Sequence, residues 1–425
     1  MTGFSKTPSG KSSSEAPKLK AQLNAQHALF KLANLLDWES LEQDFGTTMT
    51  TDGGRPPLPV RLMVGLHYLK ALYNESDESV VAKWVENPYW QYFCGEETFQ
   101  HQLPCHPSSL GNWRRRVGVD GLEKLLSQVI KTAMQCEALS PQDVKQVIVD
   151  TTVQEKAIAF PTDARLYDKA RRTLVRMARK HQVKLRQTYV RVGEQVLLKQ
   201  SRYAAARQGR RAQKQTRILR TYLGRVIRDL ERKLKPMPEA VAVLLKSAKR
   251  IYQQQKQDKG KCYSIHAPEV ECIAKGKAHK PYEFGCKVVL TTTNASNWIV
   301  GIAAQHGNPY DGSTLTPAIE QVERLTDIRP NHATVDQGFR GKDHHPQDVE
   351  VLVCDTRKRT GKARRLFKRR SAIEPVIGHS KSDHCLGRNY LKGQLGDSLN
   401  ALLAGCGFNL RKLFRAVMVL EVEPA

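Results

Sequence analysis

Apolar residues recur at helical spacing through the first third of the chain. VRLMVGLHYLKALYN (60–74) places Leu62, Leu66, Leu69 and Tyr73 on one side, which predicts an amphipathic helix. In the SDESVVAKWVEN that follows, Ser76 caps a second helix whose apolar side is Val80, Val81 and Trp84. HALFKLANLLDWESLEQDF, within 21–50, predicts a short helical lead-in. DGGRPPLPV (52–60) is a hinge, because prolines remove helix donors and fix the backbone. HPSSLGNWRRRVG (106–118) predicts a short serine-capped helix ending in Arg114, Arg115 and Arg116.

The pattern then changes. In KQVIVDTTVQEKAIAFP (145–161), Val147, Ile148 and Val149 form a run that predicts a buried strand delivering Asp150 at its end. YEFGCKVVLTTT and WIVGIAAQHG predict two strands joined by the turn NASN (294–297). STLTPAIEQVERL (313–325) is an amphipathic helix. HATVDQGFRG (332–341) is a short strand ending in Asp336, and VEVLVC (349–354) is another buried strand. Strands mixed with helices imply an α/β fold. RKRTGKARRLFKRR (357–370) leads into a helix within RRSAIEPVIGHSKSDH (369–384), which carries Glu374, His379, Lys381 and Asp383. LKGQLGDSLNALLAGCGFNLRKLFRAVMVL predicts a closing helical pair.

Charge changes this picture most. The 425-residue chain carries a formal +26 with a pI near 9.8, which calls for a polyanionic partner, nucleic acid foremost. Between Arg165 and Lys235 there are 23 Lys/Arg against 4 Asp/Glu, a net +19. Two apolar stripes run through this stretch: Leu166, Ala170, Leu174 and Met177, then Leu219, Leu223, Val226, Leu230 and Leu234. They predict two long helices packed as a hairpin with arginines outside. A solvated face would carry compensating acids; unbalanced like charges at helical spacing repel unless a polyanion neutralises them. The hairpin reads as a DNA grip, with a dimerisation arm as the alternative. The small helical domain ending in Arg114–Arg116 is similarly open between a helix-turn-helix DNA reader and a bundle whose arginines face water.

Other classes lose support. Apolar runs such as AVAVLL (240–245) are far too short to span a bilayer. The Ser/Lys/Pro-rich start reads as a flexible basic arm rather than a secretory signal. Nine cysteines without a CxxC pair fit reduced thiols in a cytosol, and the expected location is cytoplasmic, on the nucleoid where a DNA partner would be. Cys262, His266, Cys272 and His279 have gaps that fit no common zinc finger.

Three acids define the candidate chemistry: Asp150 and Asp336 at strand ends, and Glu374 on a later helix. Such oxygen ligands suit two Mg²⁺ or Mn²⁺ ions, which would activate a hydroxyl nucleophile and stabilise the leaving oxygen in phosphoryl transfer. Asp163 and Asp355 compete for the same role; Asp355 follows a buried strand but lacks the glycine beside Asp336. Singly, an acid at a strand end is as readily a turn former, and Glu374 an ion-pair partner on a surface helix.

These motifs resemble a DDE-type insertion-sequence transposase, of the group named after insertion sequences four and five, over roughly residues 55–410. VIVDTTVQ carries the position of the first Asp, Asp150. ATVDQGFRG is similar to the second-Asp motif at Asp336, with Gln337 and Phe339 where many relatives have Arg and Tyr. The signature Y-x2-R-x3-E-x6-K reads Phe367, Arg370, Glu374 and Lys381, with Phe for Tyr.

The resemblance implies a ribonuclease-H-like mixed-sheet core, two divalent ions on Asp150, Asp336 and Glu374, and DNA phosphate contacts from Arg370 and Lys381, with Phe367 beside them. It implies double-stranded transposon ends and target as partners, and a homodimer on DNA. Positions 370, 374 and 381 would share one helical face. The expected organisation is an arm and helical lead-in (1–54), a helical domain (55–135), a catalytic domain (140–410) with a basic insertion at 163–260, and a tail (411–425). The expected function is metal-dependent DNA cleavage and strand transfer. The alternatives are an inactive DNA-binding descendant or a metal-dependent nuclease.

Overall fold

One mixed sheet positions two of the three candidate acids, Asp150 and Asp336, and most helices are arranged around it. The computed structural model of the chain describes residues 17–46, 56–274, 280–354 and 361–419; Asp355, His279 and most of the N-terminal arm lie outside them.

The N-terminal helices are α1 (Leu19–Gln22), α2 (Ala28–Leu35), α3 (Trp38–Gly46), α4 (Val60–Tyr73), α5 (Asp77–Glu86), α6 (Pro88–Phe93) and α7 (Ser108–Gln135). The Ser76 hydroxyl accepts from the Ser79 amide, and the Ser79 hydroxyl accepts in return from the Ser76 amide, a reciprocal cap for α5. The helix after His106 is much longer than its first apolar stretch predicts. It kinks at Gly118, whose φ of 67° only glycine adopts at low cost, and resumes to Gln135.

A short turn, α8 (Pro141–Val144), leads into β1 (Gln146–Glu155). The remaining strands are β2 (Glu271–Ala274), β3 (Tyr282–Thr293), β4 (Ile299–Gln305), β5 (His332–Val335) and β6 (Glu350–Val353). The order is β2-β3-β1-β5-β6, with β4 also on β3. β3 is antiparallel to β1, β2 and β4, whereas β1, β5 and β6 run parallel. The NASN hairpin joins β3 and β4 as expected.

The expectation that Asp150 ends its strand is corrected. β1 pairs with β3 from Val147 to Glu155 but with β5 only as far as Val149. Asp150 therefore lies mid-strand, at the point where β1 outruns its parallel neighbour. Thr151, Thr152 and Val153 favour the extended continuation.

Between β1 and β2 lies the basic insertion. It has four helices rather than the expected pair: α9 (Asp163–Lys180), α10 (Val190–Ala205), α11 (Gly209–Lys233) and α12 (Glu239–Gln253). Leu166, Ala170, Leu174, Leu219, Leu223, Val226 and Leu230 are buried in a core of its own, closed by Val241, Leu245 and Ile251 of α12. Met177 and Leu234 pack against it. The N-terminal helices and the sheet instead share one continuous core.

α13 (Leu315–Thr326) follows β4, and α14 (Gly361–Arg370), α15 (Ile373–Asp383) and α16 (Gly393–Val419) close the chain. The closing segment is one helix, not two. Its buried stripe of Leu402, Cys406, Leu410, Leu413 and Val417 runs through the GCG stretch. That burial outweighs a glycine cost of about 1 kcal/mol per residue.

Candidate functional site

The parallel register of β1 and β5 sets the site. Val149 pairs with Val335, so the next residues, Asp150 within β1 and Asp336 just past the end of β5, sit at the same level of the sheet. Neighbouring strands are about 4.8 Å apart. Asp150 is largely buried, and its Oδ1 accepts from the Thr151 amide at 2.7 Å. Asp336 turns the chain into a 3-10 helix, its Oδ1 accepting from the Gly338 amide at 2.8 Å. A Cβ at position 338 would lie 2.9 Å from both Asp336 Oδ1 and Asp311 Oδ2, so only glycine fits between the two carboxylates. Phe339, where many relatives carry Tyr, is fully buried and needs no polar partner.

Asp311 is an acid that the motifs did not single out. It lies in NPYDGST, just before α13, and Lys287 of β3 donates to it at 2.8 Å. Nothing local in the sequence marks it; its position follows from β3 and β5 lying in one sheet with β1 between them.

The third acid, Glu374, is carried by α15, which follows α14. Arg369 donates through Nε to the Asn294 carbonyl at 2.5 Å and also reaches Asn297, latching α14 onto the β3–β4 turn. The next residue, Arg370, donates to Asp150 Oδ2 at 3.1 Å. The helix is then interrupted, which corrects the expectation of one continuous face for 370, 374 and 381. Pro375 has no N–H for the Ser371 carbonyl, and its ring would collide there. The helix therefore ends at Arg370 and restarts at Ile373, with Pro375 in its first turn. Glu374 and Lys381 remain together on α15; Glu374 is exposed and Lys381 half-buried. The Phe367 side chain lies outside the described residues. Among the described residues, Asp150, Asp336 and Glu374 do not form a group with all ligand atoms within 4.8 Å of one another.

The three adjacent arginines have different roles. Arg114 is 3% exposed and grips Asp77 with both guanidinium nitrogens, at 2.9 and 2.5 Å. The expectation that it faces DNA is corrected, because its charge is consumed inside the bundle. Burial and then the Arg114 charge lower His67 to about 3. Neutral His67 donates through Nδ1 to the Met63 carbonyl at 2.6 Å, which leaves Nε2 to accept from Arg114 at 3.3 Å. Burial raises the Asp77 carboxyl, but the Arg114 hydrogen bond and the Lys70 and Arg114 charges outweigh it, holding Asp77 at about 2. Arg115 and Arg116 are exposed.

In the insertion, Lys214, Arg217, Arg225 and Arg228 project from α11 into solvent. Arg186, Arg225, Arg228, Arg232 and Lys235 line a cavity of about 940 Å³ that has only Asp229 and Glu231 as acids. Such a concentration of cations suits a polyanion.

One comparison with known proteins, the family match, suggests a transposition-related role. Residues 17–116 match the protein family described as Transposase domain (DUF772), so a transposase-like domain occupies α1 through the start of α7. The match ends before Asp150. An uncharacterized protein, ORF8 in the nfe locus of Rhizobium meliloti, is 48% identical over 204 residues, which is 48% of this chain and 98% of that protein. The chain belongs to the family of that Rhizobium protein. No solved structure matches it. No helix among the described residues is long and apolar enough to cross a membrane.

Proposed function

We propose that the protein is a DDE-type transposase that binds the ends of a mobile element and cuts and joins DNA there. The observation that carries this reading is the register at β1 and β5, which sets Asp150 beside Asp336, together with the contact of Arg370, the last residue of α14, with Asp150, just ahead of the helix that carries Glu374. The strand order supports a ribonuclease-H-like core, with an antiparallel β1-β3-β4 meander continued by parallel β5 and β6. The transposase-domain match supports the same class.

The side chains fit divalent metal chemistry, since Asp150, Asp336 and Glu374 supply hard oxygen donors beside basic helices. When bound, Mg²⁺ or Mn²⁺ would lower the barrier to attack on a phosphodiester and stabilise the leaving oxygen. Gly338 keeps the Asp336 carboxylate anchored to its own turn. Arg370 holds Asp150 in place and is positioned to meet a DNA phosphate when the acid takes up metal. Lys381, seven residues beyond Glu374, extends the cationic track. Arg115, Arg116 and the insertion hold duplex DNA, largely through its phosphates. Work on two element ends calls for at least two subunits.

One observation favours an inactive DNA-binding descendant: Arg370 occupies Asp150, and the three acids are not gathered within 4.8 Å. The test is nicking of a labelled fragment carrying the element's ends, with Mg²⁺, Mn²⁺ or EDTA, by wild type, Asp150→Asn and Asp336→Asn. The proposal expects metal-dependent nicking by wild type alone, with DNA binding retained by all three. Binding without nicking by wild type under every metal would support the inactive descendant. Cutting without joining would mark a nuclease.

A further inference from the structure

A second cluster of ligand-type side chains lies away from the candidate active site. Cys286 is on β3, His306 immediately follows β4, and Asp397 is in the first part of α16. One ligand atom from each lies within 4.8 Å of the other two, and among the described residues this is the only such group. Cys286 pairs with Gln154 on β1, four residues along the strand from Asp150. At about 3.3 Å per residue, that places the two sites roughly 13 Å apart.

The surroundings mix satisfied and unpartnered groups: Cys286 Sγ donates to the Lys287 and Gln305 carbonyls at 3.2 and 3.4 Å. Cys286 Sγ is 3.5 Å from His306 Nδ1, while His306 Nε2 is buried with no hydrogen-bond partner. Glu271 accepts from the Gly307 amide through Oε1, at 2.5 Å, and its buried Oε2 also has no partner. Asp397 is 3% exposed; Lys156 and Asn389 both donate to its Oδ1, each at 2.7 Å. Lys156 is shared with Glu269 at 3.0 Å.

We propose that Cys286, His306 and Asp397 form a structural site for a transition-metal ion, Zn²⁺ by ligand chemistry. A thiolate, an imidazole and a carboxylate are the donors zinc takes at about 2.0–2.3 Å, and separations of up to 4.8 Å close with small side-chain shifts. Binding transfers the Cys286 proton to solvent and forms a sulfur–zinc bond, with no change in oxidation state. The ion would tie the end of the β3–β4 hairpin to the start of α16, the helix that packs on both the sheet and the N-terminal helices. This site is separate in place and in chemistry from the oxygen-only set of Asp150, Asp336 and Glu374.

The test is metal analysis of the full chain, purified under reducing conditions with zinc supplied and excess removed. Wild type should retain about one zinc per chain. Cys286→Ala and His306→Gln should lose it, and Cys262→Ala, at a buried cysteine outside the cluster, should keep it. X-ray absorption on wild type should show one sulfur with nitrogen and oxygen ligands, a reading that needs no folded variant. A wild type without stoichiometric zinc, full retention in both variants, or two or more sulfur ligands would each overturn the proposal.

Discussion

The sheet and the basic insertion handle charge in opposite ways. Around the sheet, charged groups are engaged inside the fold: Arg114 with Asp77, Arg370 with Asp150, Lys287 with Asp311, Lys156 with Asp397. The insertion keeps one arginine inside, Arg171, which is fully buried and donates to Asp168 at 2.5 Å. Most of its cations stand on the outer faces of helices closed over a separate core. The comparison teaches that net charge alone does not locate a nucleic-acid surface; the partner inside the fold decides. A run of three arginines contributes one to architecture and two to the surface.

The sharpest way to break this comparison is through the insertion's own core. Leu223→Ala should cost about 2–5 kcal/mol. Because that core is separate, hydrogen exchange should rise across α9–α12 and leave β1 and β3 protected. Uniform loss of protection would mean that the two cores unfold as one.

Arg114→Ala should destabilise the protein by about 3 kcal/mol, because it removes the bidentate partner of a mostly buried Asp77 and leaves only Lys70 beside it. Arg115→Ala should leave denaturant midpoints unchanged and weaken DNA binding. Equal stability losses would erase the distinction between inward and outward arginines.

A smaller pH effect should accompany the inward pair. With Asp77 held at about 2 against an ordinary 3.8, its contribution is complete above pH 3.8 and is lost as pH falls through about 2. The window corresponds to roughly 2 kcal/mol. Asp77→Asn should flatten this part of the acid limb in a denaturation series; an unchanged limb would remove the pair from the account.

The gentlest change is neutralisation of Lys214, Arg217 and Arg228 to Gln. The slope of log affinity against log salt should fall by about 0.9 for each DNA phosphate left without its cation, and stability should hold. An unchanged slope, with altered oligomeric state, would favour the dimerisation alternative.

Much of the fold could be read from local pattern. The Val147–Val149 run, the NASN turn, the α13 amphipathicity and the Ser76 cap all involve neighbours in sequence, and all appear where the pattern placed them. The stripes of α9 and α11 were equally legible. α10 has a single buried residue, Gly193, and so showed no stripe to read. The closing helix looked divided because glycine weakens a helix locally, whereas packing that no local window contains holds it together. The break between Arg370 and Ile373 was written in Pro375 but masked by the signature spacing running across it.

For the candidate site, sequence could name Asp150, Asp336 and Glu374, but not how close they come. That depends on strand register and on the Arg369 latch. Asp311, and the cluster of Cys286, His306 and Asp397, depend wholly on tertiary contacts between segments up to 111 residues apart, and no motif marks them.

The most direct test of the central division, chemistry on the sheet and grip on the insertion, is one assay on DNA carrying the element's ends. Glu374→Gln and the Lys214/Arg217/Arg228→Gln variant would run beside wild type in Mg²⁺. The account predicts that Glu374→Gln binds normally but loses cleavage at least ~100-fold. It predicts that the insertion variant binds weakly and recovers cleavage at saturating protein. Full cleavage by Glu374→Gln, or persistent failure of the insertion variant at saturation, would contradict it.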